Sequence, residues 1–192
     1  MACYPFAIVL ALLFSLLKIS KHRLPRAIAV VYINILRGTP LFLQIYIMFF
    51  GLPMVGINID NNLLGIIVMA VNSSAYLAEI FRAGIQSIPR GQYEAAEVLG
   101  YSGSQTFMRI VLPQVVKRIL PAVTNEVITL VKDTSLAFSI GVIEMFTVAK
   151  QLVASQVSMA PFIIAAAFYW VANFVIDIVA GRVERRLNYY HD

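Results

Sequence analysis

The residues best able to do chemistry in this chain are carboxylates placed where almost everything around them is apolar. Glu79 follows Asn72, Ser73, Ser74 and Tyr76, and Asp133 stands between Lys132 and the pair Thr134 and Ser135. Ionisable groups inside a bilayer are costly, and they face a bundle interior or a water-filled cavity. In such a cavity Glu79 and Asp133 would hold an ammonium or another cationic group, while the hydroxyls and amides beside them would hydrogen-bond the rest of a solute. Asn72, Ser73, Tyr76, Glu79, Asp133, Thr134 and Ser135 therefore form the candidate substrate-binding set. The same residues also fit a structural role, with Glu79 pairing with Arg82 at i,i+3 and Asp133 pairing with Lys132 or Arg37.

These residues need helices that cross a membrane to position them. Of the 192 residues, 60% are apolar and 13% are charged, against about 25% charged in a soluble domain; the mean hydropathy is +0.80. Uncharged runs cover 1–17, 38–59, 61–78 and 151–176, and about 20 apolar residues suffice to cross about 30 Å of hydrocarbon. A further span is expected around 120–146 despite Glu126, Lys132, Asp133 and Glu144. The fold class is thus all-α, a polytopic membrane protein of about five transmembrane helices forming a single domain over 1–192. The first run has no basic residue before its apolar core and no small-x-small cleavage site, so it is expected to stay as a helix.

Twelve of the 15 Lys and Arg residues fall in 18–26, 82–118 and 182–186, whereas the alternating stretches 51–62 and 147–159 hold only Lys150. The positive-inside rule makes the basic stretches cytoplasmic, with the N-terminus outside and the C-terminus inside. On that topology the polar clusters of the third and fourth spans come within about one helical turn of a common depth. The net charge of +5 then sets orientation and is no sign of nucleic acid, because no basic stripe lies on a soluble domain. Two histidines and one cysteine offer no metal site of recognisable spacing. Cys3 is the lone cysteine and has no internal disulfide partner. The pattern GxxxxGK[ST] does not occur, nor does a nucleophile elbow. The chain is therefore expected to be no enzyme and to hold no cofactor. Arg37-Gly38-Thr39-Pro40 is expected to mark the entry of the second span near the inner surface, and Tyr189, Tyr190 and His191 a loose tail.

One long cytoplasmic loop, 88–119, is polar and broken by glycine. Residues 92–99 are good helix formers, and Gly100 is placed to end that helix in a left-handed turn. Ser102 to Gln105 has capping-box spacing and opens a second short helix that Pro113 limits. Val98, Leu99, Phe107 and Ile110 must then pack either on the protein's own helices or on a partner.

Within this loop Glu94-Ala95-Ala96, Gly100, Ile110, Leu112 and Pro113 fix seven residues over 94–113, and this pattern resembles the EAA loop of permease subunits in bacterial ABC importers. The segments "LRGTPLFLQIYIMFFGLP" (36–53), "AYLAEIFRAGIQSIPRGQYEAA" (75–96) and "VKDTSLAFSI" (131–140) are similar to the polar amino acid permeases, the group of histidine, glutamine and arginine importers, and the likeness runs over roughly residues 8 to 186. Such permeases usually carry a further stretch of chain before "LALLFSLLKIS" (10–20).

The resemblance implies a type I ABC importer transmembrane domain in the bacterial cytoplasmic (inner) membrane, crossing it several times. It implies a coupling helix in which Glu94, Ala95, Ala96 and Gly100, with Ile110, Leu112 and Pro113, engage two copies of a separate ABC ATPase subunit that binds ATP and Mg. A second permease copy or a paralogous permease, an extracytoplasmic amino acid-binding protein, an amino acid substrate and membrane lipid complete the implied partners, with no nucleic acid. Two acids without a carboxylate-binding partner lean toward a basic amino acid such as arginine, lysine or histidine. The alternative from another class is an ion-gradient-driven secondary amino acid transporter, suggested by the intramembrane acids.

Overall fold

The computed structural model describes residues 3–187, so the tail with Tyr189, Tyr190 and His191 lies outside it. Within that range nine α-helices follow one another: α1 (Cys3–Ile19), α2 (Arg23–Gly38), α3 (Leu41–Met54), α4 (Asn61–Gln86), α5 (Arg90–Val98), α6 (Gly103–Thr106), α7 (Leu112–Asp133), α8 (Met145–Gln156) and α9 (Ala160–Leu187). A π-helical stretch, Phe107–Val111, joins α6 to α7, and a 3-10 stretch, Thr134–Ile140, follows α7. Among the described residues only α4 and α9 are each long and apolar enough to cross a membrane alone. The expected span 38–59 is instead a bent pair, α2 and α3 meeting at 104°, and Gly103–Ile140 meets α8 at 57°. At 1.5 Å per residue α1 covers about 25 Å.

The centre is the packing of α1 against α4. Cys3, Ala7, Ala11 and Ser15 recur every fourth residue on α1 and are all buried, opposite the buried Ala70, Ser74, Ala75 and Ala78 of α4. Lipid tails are as apolar as leucine, so helices in lipid associate through close backbone approach, which small residues permit. The bulky Phe6, Val9, Leu12, Leu13 and Leu16 point outward from the same helix. The pattern of a soluble helix is inverted, with small residues inside and large ones facing lipid.

The α2–α3 bend follows from Thr39-Pro40. Thr39 is extended (φ −121°, ψ 144°), as the residue before a proline prefers. The Gln44 amide donates to the Leu36 carbonyl (2.9 Å), the Thr39 carbonyl (3.1 Å) and Thr39 Oγ1 (2.8 Å), satisfying acceptors that the helix end leaves free. Asn72 Nδ2 donates to Gln44 Oε1 (3.0 Å) and to the Leu36 carbonyl (3.3 Å), tying the bend to the middle of α4. The Arg37 guanidinium lies 5.4 Å from the Tyr76 ring centroid. The Arg-Gly-Thr-Pro segment is therefore the turn between α2 and α3, with Arg37, Gly38 and Pro40 exposed and Thr39 partly covered.

Antiparallel α4 and α7 meet closely where α4 ends and α7 begins. A Cβ on Gly84 would stand 2.2 Å from Ile119 Cγ2 and 3.2 Å from Val115 Cγ1. Gly84→Ala is expected to destabilise the protein by about 1–3 kcal/mol through overpacking, read as lower thermal stability in detergent, with Ile119→Ala restoring it in the double variant. An unchanged melting curve for the single variant would refute this packing.

Candidate functional site

The loop takes the local form that its sequence dictates. At the end of α5 the Tyr101 N–H donates to the Ala96 carbonyl (3.0 Å) and the Gly100 N–H to the Glu97 carbonyl (2.9 Å), with Gly100 at φ +76°. This is a Schellman termination, which glycine accommodates without a Cβ penalty. Ser102 and Gln105 make both bonds of a capping box. Pro113, expected to limit the second helix, instead lies in the first turn of α7. A proline there lacks an N–H that the first turn does not use, and the π-helical stretch before it carries the helix on unbroken. The helix that was expected to begin near residue 120 thus begins at Leu112.

The loop's seven signature residues divide by exposure. Glu94, Ala95, Gly100 and Pro113 are exposed or half-exposed, and Ile110 and Leu112 are no more than partly covered. Ala96 is only 1% exposed, so Glu94, Ala95, Gly100 and Pro113 make up the open part of the pattern. Phe107 packs with Ile88, Val111 and Val115 in a small core of the protein's own. Val98 and Leu99, by contrast, are 88% and 72% exposed. The Arg118 guanidinium donates to the Ser87 carbonyl, anchoring α7 to the end of α4.

The candidate substrate residues do not all converge. Thr134 lines a pocket of about 220 Å³ together with Cys3, Asn62, Gly65, Met69 and Glu144, so the Asp133–Ser135 cluster stands beside the first turns of α4. With Gly84 at Ile119 and Gly65 at Ala137, Glu79 lies roughly 15 Å further toward the loop. The common depth expected for Glu79 and Asp133 is corrected accordingly: α7 starts earlier than its hydropathy suggests and has climbed further by Asp133. Asn72 is occupied by Gln44 as described, and Ser73 is buried.

Glu79 is held by two cations. It forms ion pairs with Lys18 of α1 and with Arg82, whose Nε and Nη2 donate to Oε2 at 2.9 and 2.7 Å. This is the structural alternative for Glu79, with α1 added to it. Removing one member of a partly buried charge cluster leaves the others unpaired. Glu79→Gln is expected to cost about 3 kcal/mol, measurable as loss of thermal stability in detergent; a variant as stable as the parent would show that the cluster does not hold α1 to α4.

Asp133 makes neither an ion pair nor a side-chain hydrogen bond among the described residues, and the alternative pairings with Lys132 or Arg37 are not formed. Sequence reasoning left Glu126 out of the site. It precedes Asp133 by seven residues, which puts both on one face of α7, it is half-buried, and it lies within electrostatic reach of Asp133 and Arg37. The i,i+7 spacing of two acids in an apolar helix was the available signal. Glu144 has a capping role, accepting from the Phe146 N–H (2.7 Å), the Thr147 N–H (2.6 Å) and the Tyr169 hydroxyl (3.2 Å).

Comparison with known proteins agrees with this geometry. Residues 4–189 match the family described as "Binding-protein-dependent transport system inner membrane component". The chain is 37% identical over 187 residues to the L-cystine transport system permease protein TcyB of Bacillus subtilis, covering 96% of this chain and 80% of that protein. It is 39% identical over 182 residues to the arginine transport system permease protein ArtQ of the same organism, covering 94% and 83%. A chain from a crystal structure of an amino acid ABC transporter with histidines superposes with a TM-score of 0.89 at 34% identity, over 96% of this chain and 86% of that one. A chain of the MetNI methionine ABC transporter shares the fold, with a TM-score of 0.78 at 19% identity over 95% of this chain and 88% of that one. The residue pattern of the loop, the all-helical bundle and these relatives together place the chain in the family of binding-protein-dependent transport system inner membrane components, as a multi-pass permease of the polar amino acid ABC type.

Proposed function

We propose that this chain is the membrane half-channel of an ATP-driven importer for a polar amino acid, coupled through residues 94–113 to two ATPase subunits that bind ATP and Mg. A second permease, identical or paralogous, completes the pathway, and an extracytoplasmic binding protein delivers the solute. The N-terminus lies outside and the C-terminus in the cytoplasm, following the basic stretches. The observation that carries the reading is the uncovered apolar pair Val98 and Leu99 beside exposed Glu94. On the cytoplasmic side no lipid covers such a surface, and an exposed apolar patch marks a site for a protein partner.

Glu126 and Asp133, on one face of α7 and without ion pairs, supply negative charge for the ammonium of the solute and favour a basic side chain. Thr134 and Ser135 add hydroxyls beside them. Asn72, Ser73 and Tyr76 then shape the wall of the path, and Glu79 secures its cytoplasmic end.

The test is uptake of labelled arginine, glutamine and cystine by cells expressing the complete complex. Uptake should stop when the ATPase subunit is depleted and persist when the ion gradients are collapsed with ATP maintained. The opposite pattern would replace this reading with a gradient-driven transporter.

A further inference from the structure

The uncompensated charge of this molecule lies near its beginning. Asp60 is the first acid in the chain, and Lys18, Lys21, Arg23, Arg26 and Arg37 all precede it. Lys18 is held by Glu79, and Arg37 lies over the Tyr76 ring. Lys21, Arg23 and Arg26 are exposed and make no side-chain hydrogen bond or ion pair among the described residues. Arg23 and Arg26 are neighbours at i,i+3 on α2, where like charges repel. The cluster therefore calls for an anion.

An apolar track leads away from these cations along α2. Leu24, Ile28, Val31 and Ile35 are 73%, 54%, 56% and 58% exposed, and at 3.6 residues per turn they fall on one stripe of the helix. That stripe is about 16 Å long, close to the roughly 15 Å of hydrocarbon in one leaflet. The far end of α2 is bonded to the middle of the 26-residue α4, where the Leu36 carbonyl accepts from Asn72. The stripe thus starts at the cations and ends level with the centre of a membrane-spanning helix. A water-soluble partner would meet the cations but would not reach Val31 and Ile35. A phospholipid meets both, with its phosphate at the cluster and its acyl chains along the stripe. Three cations without an acid beside them select a headgroup of net negative charge over a zwitterionic one.

We propose that Lys21, Arg23, Arg26 and the exposed stripe of α2 form a binding site for one anionic phospholipid. In the orientation proposed above, this lipid belongs to the cytoplasmic leaflet. The assignment rests on that reading only for the choice of leaflet, and it is independent of the solute and of the energy source.

The experiment places the photocrosslinking residue benzoylphenylalanine at Ile28 and irradiates the complete complex in nanodiscs of equal phosphatidylglycerol and phosphatidylcholine, with mass spectrometry of the adducts. With the three cations intact, phosphatidylglycerol should be captured at least tenfold more often than phosphatidylcholine. Adding Lys21→Gln, Arg23→Gln and Arg26→Gln should bring that preference below twofold, whereas Lys21→Arg, Arg23→Lys and Arg26→Lys together should keep it. Equal capture of both lipids with the cations intact, or a preference that survives the glutamine substitutions, would overturn the assignment. So would capture of a protein chain in place of lipid, which would make the stripe a protein interface, or the absence of any lipid adduct. Loss of the preference on adding glycerol 3-phosphate would overturn it in favour of a free phosphate at the cations. None of these results depends on uptake, so the importer reading stands or falls by its own test.

Discussion

Glu94→Lys should strip the ATPase from the purified complex while leaving the permease folded. Glu94 is exposed on α5, and it forms no ion pair among the described residues, so its replacement removes nothing that holds the bundle together. Surface substitutions of that kind change stability by about 0.5 kcal/mol or less. At an interface the same change reverses a charge next to the apolar surface of Val98 and Leu99, and mismatched buried charge costs about 2–5 kcal/mol. That corresponds to a loss of affinity on the order of 100-fold. Purification of the tagged chain in mild detergent, wild type beside variant, with mass spectrometry and a melting curve for each, reads both quantities. An ATPase retained equally by both forms would mean that α5 is no docking element, and a collapsed melting curve would mean that Glu94 serves the fold.

Asp133→Asn is expected to do the reverse, keeping the ATPase bound and impairing transport. Asp133 is half-buried and lacks an ion pair, so neutralising it strands no cation in the bundle. Glu79 differs, because its charge anchors Lys18 and Arg82. A hydrogen bond to a charged partner contributes about 1.5–3 kcal/mol, and without the Asp133 charge to bind the solute, uptake should fall by roughly 10-fold to 100-fold. Uptake assays at saturating binding protein, with complex yield as the control, separate the outcomes. Normal uptake would remove Asp133 from the path, and a collapse in yield would make it a folding residue.

Much of this was legible in the sequence because the relevant signals are local. Gly100 and the Ser102–Gln105 pair act within one turn of backbone, and both took the conformation that their residue types require. The apolar runs announced helices, yet they misjudged where three of them bend or begin. Thr39-Pro40 breaks the second run because the acceptors it frees find Gln44 and Asn72, a tertiary arrangement that no periodicity displays. Pro113 was expected to stop a helix and instead starts one, since the π-helical stretch before it depends on the packing of Phe107 and Val111 on Ile88. The depth of Glu79 relative to Asp133 followed from that misplacement. Glu126 was overlooked as a partner of Asp133 for a different reason: in a stretch with four charges, its face could be assigned only once α7 was known to be one continuous helix.

That continuity has a mechanical consequence. From Gly103 through Pro113 to Asp133 the chain is an unbroken helical rod, about 45 Å long at 1.5 Å per residue. Its lower end carries the loop, and its upper end carries the acidic face. Pivoting about that lower end by about 5° would sweep the upper end through roughly 4 Å, more than the length of a hydrogen bond. Small strokes at the loop end of the rod would thus be geared up at Asp133, and beyond the short 3-10 stretch, at Gly141 with its left-handed φ of +77°, the helical run and the gearing stop.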